Sequence, residues 1–126
     1  MNVPENCKYT DKHEWIRVSG QEVFVGITDY AQSELGDIVY VEVETEGEKL
    51  AKDEIFGTIE AVKTVSDLFM PISGEVLEFN VKLEDDAELI NKDPYGEGWM
   101  IRVSINNSQE IDSLLTPEKY KELIAS

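Results

Sequence analysis

The sequence predicts one mainly β domain with short peripheral helices and a helix at its C-terminal end. Three observations carry that expectation. Apolar and polar residues alternate through HEWIRVSGQEVFVGIT, DIVYVEVE and EIFGTIEAV, the period of a half-buried strand. Gly, Pro and Ser-Gly pairs punctuate those runs, as turns require. Marked helical signals are confined to TDYAQSELGD and TPEKYKELIAS.

Taken in order, HEWIRVSGQEVFVGIT reads as a hairpin around Ser19-Gly20. TDYAQSELGD reads as a short helix, with Thr28 or Asp29 as its cap, Tyr30, Ala31 and Leu35 on one face, and Gly36 closing it. DIVYVEVE predicts a strand with Ile38, Tyr40 and Glu42 on one side and Val39, Val41 and Val43 on the other. TEGEKLAKDE is a polar connection. EIFGTIEAV then opens a hairpin with its tip at Ala61-Val62-Lys63-Thr64, and PISGEVLEFNV, entered through Pro71 and turned near Ser73-Gly74, is expected as its partner strand. KLEDDAELINKDPYGEG is a long polar segment with one helical turn, and GWMIRVSI is a last strand. TPEKYKELIAS is a helix with Thr116 as N-cap and Pro117 at its first position. Nothing marks a linker or a second domain, so residues 1–126 read as a single domain.

Composition narrows the function. The 126 residues are 41% hydrophobic and 30% charged, ordinary globular chemistry. The net charge of −16 disfavours nucleic acid and anionic membrane surfaces and favours basic protein partners. Cys7 is the single cysteine and lies in an expected N-terminal tail, where it reads as incidental; a reducing compartment fits. The start MNVPENCKYT has neither the apolar run of a signal peptide nor a transit pattern. No apolar stretch approaches the roughly 20 residues that span a bilayer. A soluble, cytoplasmic, monomeric protein is expected.

Catalytic constellations are scarce. His13, between Lys12 and Glu14, is the one histidine and reads as a surface or edge residue. One His and one Cys cannot build a two-His or thiolate metal site. The chain has no GxSxG, no P-loop and no GxGxxG. With 27 acids in the chain, paired carboxylates carry no information.

Lys63 stands apart. Between Asp53 and Val81 it is the only Lys or Arg, among six acids. Its turn contains no Gly, Pro or Asn, so easy turn chemistry does not explain it. Val62 and Val65 flank it and would be exposed there, as on a surface read by another protein. Neighbouring carboxylates favour the ammonium, which a Schiff-base lysine must shed. An amine modified by a separate enzyme is one reading of these features; a solvated loop lysine is the other.

The stretch GTIEAVKTVSDLFMPISGEVLEFN resembles the lipoyl-lysine segment of glycine cleavage system H proteins. YTDKHEWIRV, VGITDYAQSELGDIVYVE, LINKDPYGEGWMI and the acidic C-terminal helix region are similar to the same family, so the resemblance spans nearly the whole chain. It implies a hybrid barrel-sandwich of antiparallel strands with the lysine on an exposed hairpin. It also implies lipoate in amide linkage to Lys63, put there by a lipoate ligase or octanoyltransferase. Glu60, Val62, Ser66 and Asp67 fall on the recognition flanks, and Glu14 and Asp67 are where the loaded arm would dock. The implied role is a carrier and not an enzyme. It would take an aminomethyl group from the P protein (glycine decarboxylase) to the T protein (aminomethyltransferase), and the dihydrolipoyl arm to the L protein (dihydrolipoyl dehydrogenase).

Departures from the family pattern are mild. Ala61 stands where Ser is common, Thr64 where Ala is, Phe69 where Tyr is, and Val43-Glu44 for Leu-Pro; Glu34 replaces a histidine of some members, so that contact is not transferred. Two rivals differ in class. Biotin carriers flank the lysine with Met, and 2-oxoacid dehydrogenase lipoyl domains read Asp-Lys-Ala, whereas this chain reads Val62-Lys63-Thr64. An unmodified acidic scaffold, or an H-like protein relaying lipoyl groups, is the other.

Overall fold

The computed structural model describes residues 2–125. Its elements, in order, are β1 (Lys8–Tyr9), β2 (Glu14–Ser19), β3 (Glu22–Ile27), α1 (Asp29–Leu35), β4 (Ile38–Glu42), β5 (Lys49–Leu50), β6 (Ile55–Ala61), β7 (Val65–Phe69), β8 (Gly74–Phe79), α2 (Lys82–Asp85), α3 (Leu89–Lys92), β9 (Ile101–Ser104), α4 (Gln109–Asp112) and α5 (Pro117–Ala125). All pairings are antiparallel. One sheet runs β1-β2-β3-β9-β8-β5 and the other β4-β6-β7.

Two sheets form because each strand has one apolar face to hide. Ile16, Val23 and Val25 of the larger sheet meet Val41, Phe56, Ile59 and Leu68 of the smaller in one buried cluster, and each such side chain contributes roughly 1.5–3 kcal/mol on burial. A second cluster gathers Val3, Cys7, Tyr9, Trp15 and Tyr120. The Trp15 indole lies against Gly26, its cross-strand partner; a Cβ at Gly26 would stand 2.8 Å from the ring, so no larger residue fits there. The indole N–H donates to the Pro94 carbonyl at 3.0 Å, which ties the 94–99 loop across the strands.

The first hairpin turns where expected, through Gly20 at φ 65°. Thr28 caps α1, its hydroxyl accepting from the Ala31 N–H, and Gly36 closes the helix at φ 81°. The C-terminal helix begins at Pro117, with the Thr116 hydroxyl accepting from the Lys119 N–H at 3.2 Å.

Elsewhere the sequence reading needs correction. The return strand of the second hairpin is β7, from Val65↔Glu60 to Phe69↔Ile55. PISGEVLEFNV instead supplies β8, which pairs with β9 and β5 in the other sheet. The chain reverses tightly, with the Ala61 N–H donating to the Thr64 carbonyl at 2.8 Å, and exposed Ser66 and Asp67 hide the return strand's pattern. The strict alternation expected of β4 also breaks. Ile38 faces Ala61 and Tyr40 faces Glu60, so Val39 is the extra residue of a bulge. Ile38 and Val41 are therefore both buried while Val39 is exposed. The polar connection 45–54 contains β5, and the long polar segment holds two helical turns, anchored by buried Leu83 and Ile90. The single turn α4 has no counterpart in the sequence reading. Cys7 is not in a loose tail: it is buried against the aromatic cluster, and burial pushes its thiol up.

Candidate functional site

The site begins with a hairpin tip that lacks the usual turn residues and must be held from outside. Besides the Ala61–Thr64 bond, the Val62 N–H donates to the Asp37 carbonyl at 3.0 Å. The tip is thus clamped to the junction between α1 and β4. Asn91 of α3 fixes that junction: its amide donates to the Gly36 carbonyl at 2.8 Å and to Gln32 Oε1 at 2.9 Å, and its oxygen accepts from the Ile38 N–H at 2.9 Å. Three bonds from one side chain lock the end of a helix to the start of a strand. Sequence reasoning missed Asn91, although LINKDPYGEGWMI contains it.

Lys63 projects from this clamped tip, exposed, and makes no ion pair among the described residues. Val62 and Val65 beside it are 76% and 64% exposed. The lysine Cε passes within 3.8 Å of the Cβ position of Gly36, so its stem runs over the end of α1.

Along α1 lies a cleft of about 330 Å³. Ile27, Leu35, Ile59 and Leu68 give it apolar walls, and Glu14, Glu34, Asp67 and Lys12 contribute charge. Glu14 and Asp67, far apart in sequence, thus share one cleft. Ser66 lines it too, whereas Glu60 and Val62 are exposed outside it. Glu34 of α1 also reaches it, and its carboxylate raises the Tyr30 phenol through a hydrogen bond.

Glu14 is not an ordinary surface acid. It is 3% exposed at the start of β2, and its Oε1 accepts from the Thr10 hydroxyl at 2.6 Å. Burial pushes its carboxyl up, a shift partly offset by Thr10, the Phe69 backbone and the Lys12 charge. Lys12 itself lies 4.2 Å above the Phe69 ring and 3.6 Å from Asp53. His13 is a correction as well. It is partly buried at φ 70°, lines the same cleft, and sits with Nδ1 2.9 Å from the Tyr120 hydroxyl. Burial lowers its pKa despite Asp11 and Glu34. Neither the left-handed backbone nor the contact with α5 is visible in a sequence pattern.

The described residues hold no cluster of His, Cys, Asp and Glu suited to a metal ion, and no helix is long and apolar enough to cross a membrane.

Fold and site define a small two-sheet β domain that presents a lone amine on a clamped hairpin beside an acidic, apolar-walled cleft. The glycine cleavage H-protein family model matches residues 7–126. The chain is 58% identical over 124 residues to a glycine cleavage system H protein of Bacteroides fragilis, covering 98% of each chain. It is 52% identical over 123 residues to one of Salinibacter ruber, covering 98% of this chain and 99% of that one. The crystal structure of a glycine cleavage system H protein from Mycobacterium marinum superposes with a TM-score of 0.89 at 37% identity, over 98% of this chain and 100% of that one. The chain belongs to the glycine cleavage H-protein family.

The buried carboxyl gives a pH prediction. Because burial raises Glu14 above its ordinary value near 4.5, the unfolded chain ionises this group first. Native stability is therefore lost to it as pH climbs through 4.5 to the raised native value. Glu14→Gln keeps an oxygen acceptor for Thr10 and removes the ionisation. Denaturant unfolding should show the variant gaining on wild type as pH rises above the ordinary 4.5; a pH-independent difference contradicts the assignment.

Proposed function

We propose that this chain is a lipoyl-bearing carrier of the glycine cleavage system, acylated on Lys63, and that it does no chemistry alone. The observation that carries this reading is the pairing of a free, exposed amine on a rigid tip with the adjacent cleft. A long aliphatic tether ending in a polar group fits walls of Ile27, Leu35, Ile59 and Leu68 with carboxylates at hand. When bound, lipoate would supply a dithiol–disulfide couple that accepts a one-carbon amine unit and reducing equivalents.

The residues then divide the work. Lys63 anchors the tether, and tethering replaces free diffusion with high effective concentration. Exposed Glu60 and Val62, with Ser66 and Asp67 on the return strand, are the face that a lipoate ligase or octanoyltransferase reads. Glu14 and Asp67 hold negative charge in the cleft for a cationic amine. A cation about 4 Å from a carboxylate gains ~4 kcal/mol at an effective dielectric near 20, before desolvation is subtracted. The apolar walls exclude water from a linkage that water would hydrolyse. The acidic surface favours encounter with less acidic partners, which in this reading are the P, T and L proteins, met in the cytoplasm by a monomeric carrier.

Lys63→Arg keeps the charge at an exposed tip, so stability should move by less than about 0.5 kcal/mol. A guanidinium cannot take the acyl amide, so P-protein-dependent glycine–bicarbonate exchange should vanish; activity in this variant would mean that another lysine serves.

The cleft carboxylates are tested by retention. Wild type, Glu14→Ala and Asp67→Asn are loaded with the one-carbon unit, freed of P protein, and followed for formaldehyde release. Faster release from both variants is expected. Equal rates in all three would reduce both groups to ordinary charge.

A further inference from the structure

We infer that a buried hydroxyl chain, Thr28 to Tyr120 to His13, holds the His13 imidazole neutral with its proton on Nε2, and so keeps the cleft beside Lys63 selective for a cation. The second half rests on the reading of that cleft as the dock of a cationic arm; the first half does not.

The direction of the chain follows from counting hydrogens. Thr28 is 0% exposed. Its Oγ1 already accepts from the Ala31 N–H at 3.2 Å, and a backbone N–H can only donate. The hydroxyl's own hydrogen has one acceptor within reach among the described residues, the Tyr120 oxygen at 2.6 Å. Tyr120, also 0% exposed, is left with a single hydrogen, and its other neighbour is His13 Nδ1 at 2.9 Å. Nδ1 must therefore accept, and the ring's proton sits on Nε2. The opposite polarity would strand the Thr28 hydrogen in the core, where an unmade hydrogen bond is costly. Burial pushes the Tyr120 phenol up to about 12, so it stays a donor throughout the physiological range.

The surroundings hold the ring still. Tyr30 packs with ring centroids 4.8 Å away and Tyr120 meets the imidazole edge-on at 5.7 Å. The backbone is pinned on both sides, the His13 N–H donating to the Thr10 carbonyl at 3.2 Å and the His13 carbonyl accepting from the Thr28 N–H at 3.0 Å. Thr28 thus holds both the backbone of His13 and, through Tyr120, its tautomer.

Charge around the ring makes this constraint consequential. Burial disfavours an imidazolium here, while Asp11 on its own segment and Glu34 on α1 favour one. Glu14 and Lys12 flank the ring in sequence, and Asp67 of β7 lines the same cleft. A protonated His13 would add a second cation to Lys12 in the cleft and oppose an arriving ammonium. The α5 helix prevents that through Tyr120, which reaches the ring from behind the cleft lining.

The chain contains one histidine, so a long-range ¹H–¹⁵N spectrum of the unlipoylated protein reports a single imidazole. Above neutral pH, Nδ1 should show the unprotonated, pyridine-type shift and Nε2 the pyrrole-type shift, with a titration midpoint below the ordinary 6.5. A pyrrole-type Nδ1, or equal tautomer populations, overturns the assignment using wild type alone. Tyr120→Phe removes the donor and should populate the Nδ1–H tautomer and raise the midpoint. In lipoylated protein carrying the one-carbon unit, formaldehyde loss should accelerate as pH falls through that midpoint. The acceleration should move to higher pH in Tyr120→Phe; a pH response that does not move with the midpoint overturns the link to the cleft. Because the spectrum needs no lipoyl group, its failure leaves the carrier reading standing, and an unacylated Lys63 leaves the tautomer standing.

Discussion

The constraint on which the site depends is the locked junction between α1 and β4. Asn91 bonds the Gly36 carbonyl, the Gln32 side chain and the Ile38 N–H, and the adjoining Asp37 carbonyl receives the Val62 N–H of the hairpin tip. One wall of the cleft and the base of the lysine-bearing turn are therefore referred to a single fixed point. A turn with no glycine, proline or asparagine has little intrinsic preference for reversal. It holds here because a neighbouring element supplies the hydrogen bond that the turn residues do not. The arrangement leaves the Lys63 side chain exposed while its backbone is held beside the end of α1.

The second feature of the site is a carboxyl buried at a cost. Burying Glu14 at 3% exposure works against its ionised form, and the Thr10 hydroxyl, the Phe69 backbone and Lys12 offset only part of that. A stability-neutral choice at this position would be uncharged. In the reading proposed above, Glu14, Asp67 and Glu34 in a cleft with apolar walls would give a local field suited to a cation, with Lys12 opposing it.

Much of the fold was legible because local chemistry and tertiary structure agreed. Ser19-Gly20, the Thr28 cap, Gly36 and the Thr116-Pro117 start all specify their elements through backbone rules, and each is where the sequence puts it. The failures share a cause. β4 loses its alternation to a bulge at Val39, and bulges are decided by the partner strand. β7 is hidden because Ser66 and Asp67 interrupt its apolar pattern, so the sequence offers the β8 segment as the partner of β6. β5 is two residues long and exists only through β8.

The site divides in the same way. Lys63 was conspicuous as the lone cation of its region, and Glu14 and Asp67 came from family resemblance and not from any periodicity. The burial of Glu14, the role of Asn91 and the contact of His13 with Tyr120 depend on residues distant in sequence, and no spacing rule brings them together. The central claim, that Lys63 is an acylation site, is tested most directly by the mass of the protein isolated from its native host. The account predicts one lipoyl adduct, confined to the fragment containing Lys63. A biotin adduct, an adduct on another lysine, or an unmodified chain would contradict it.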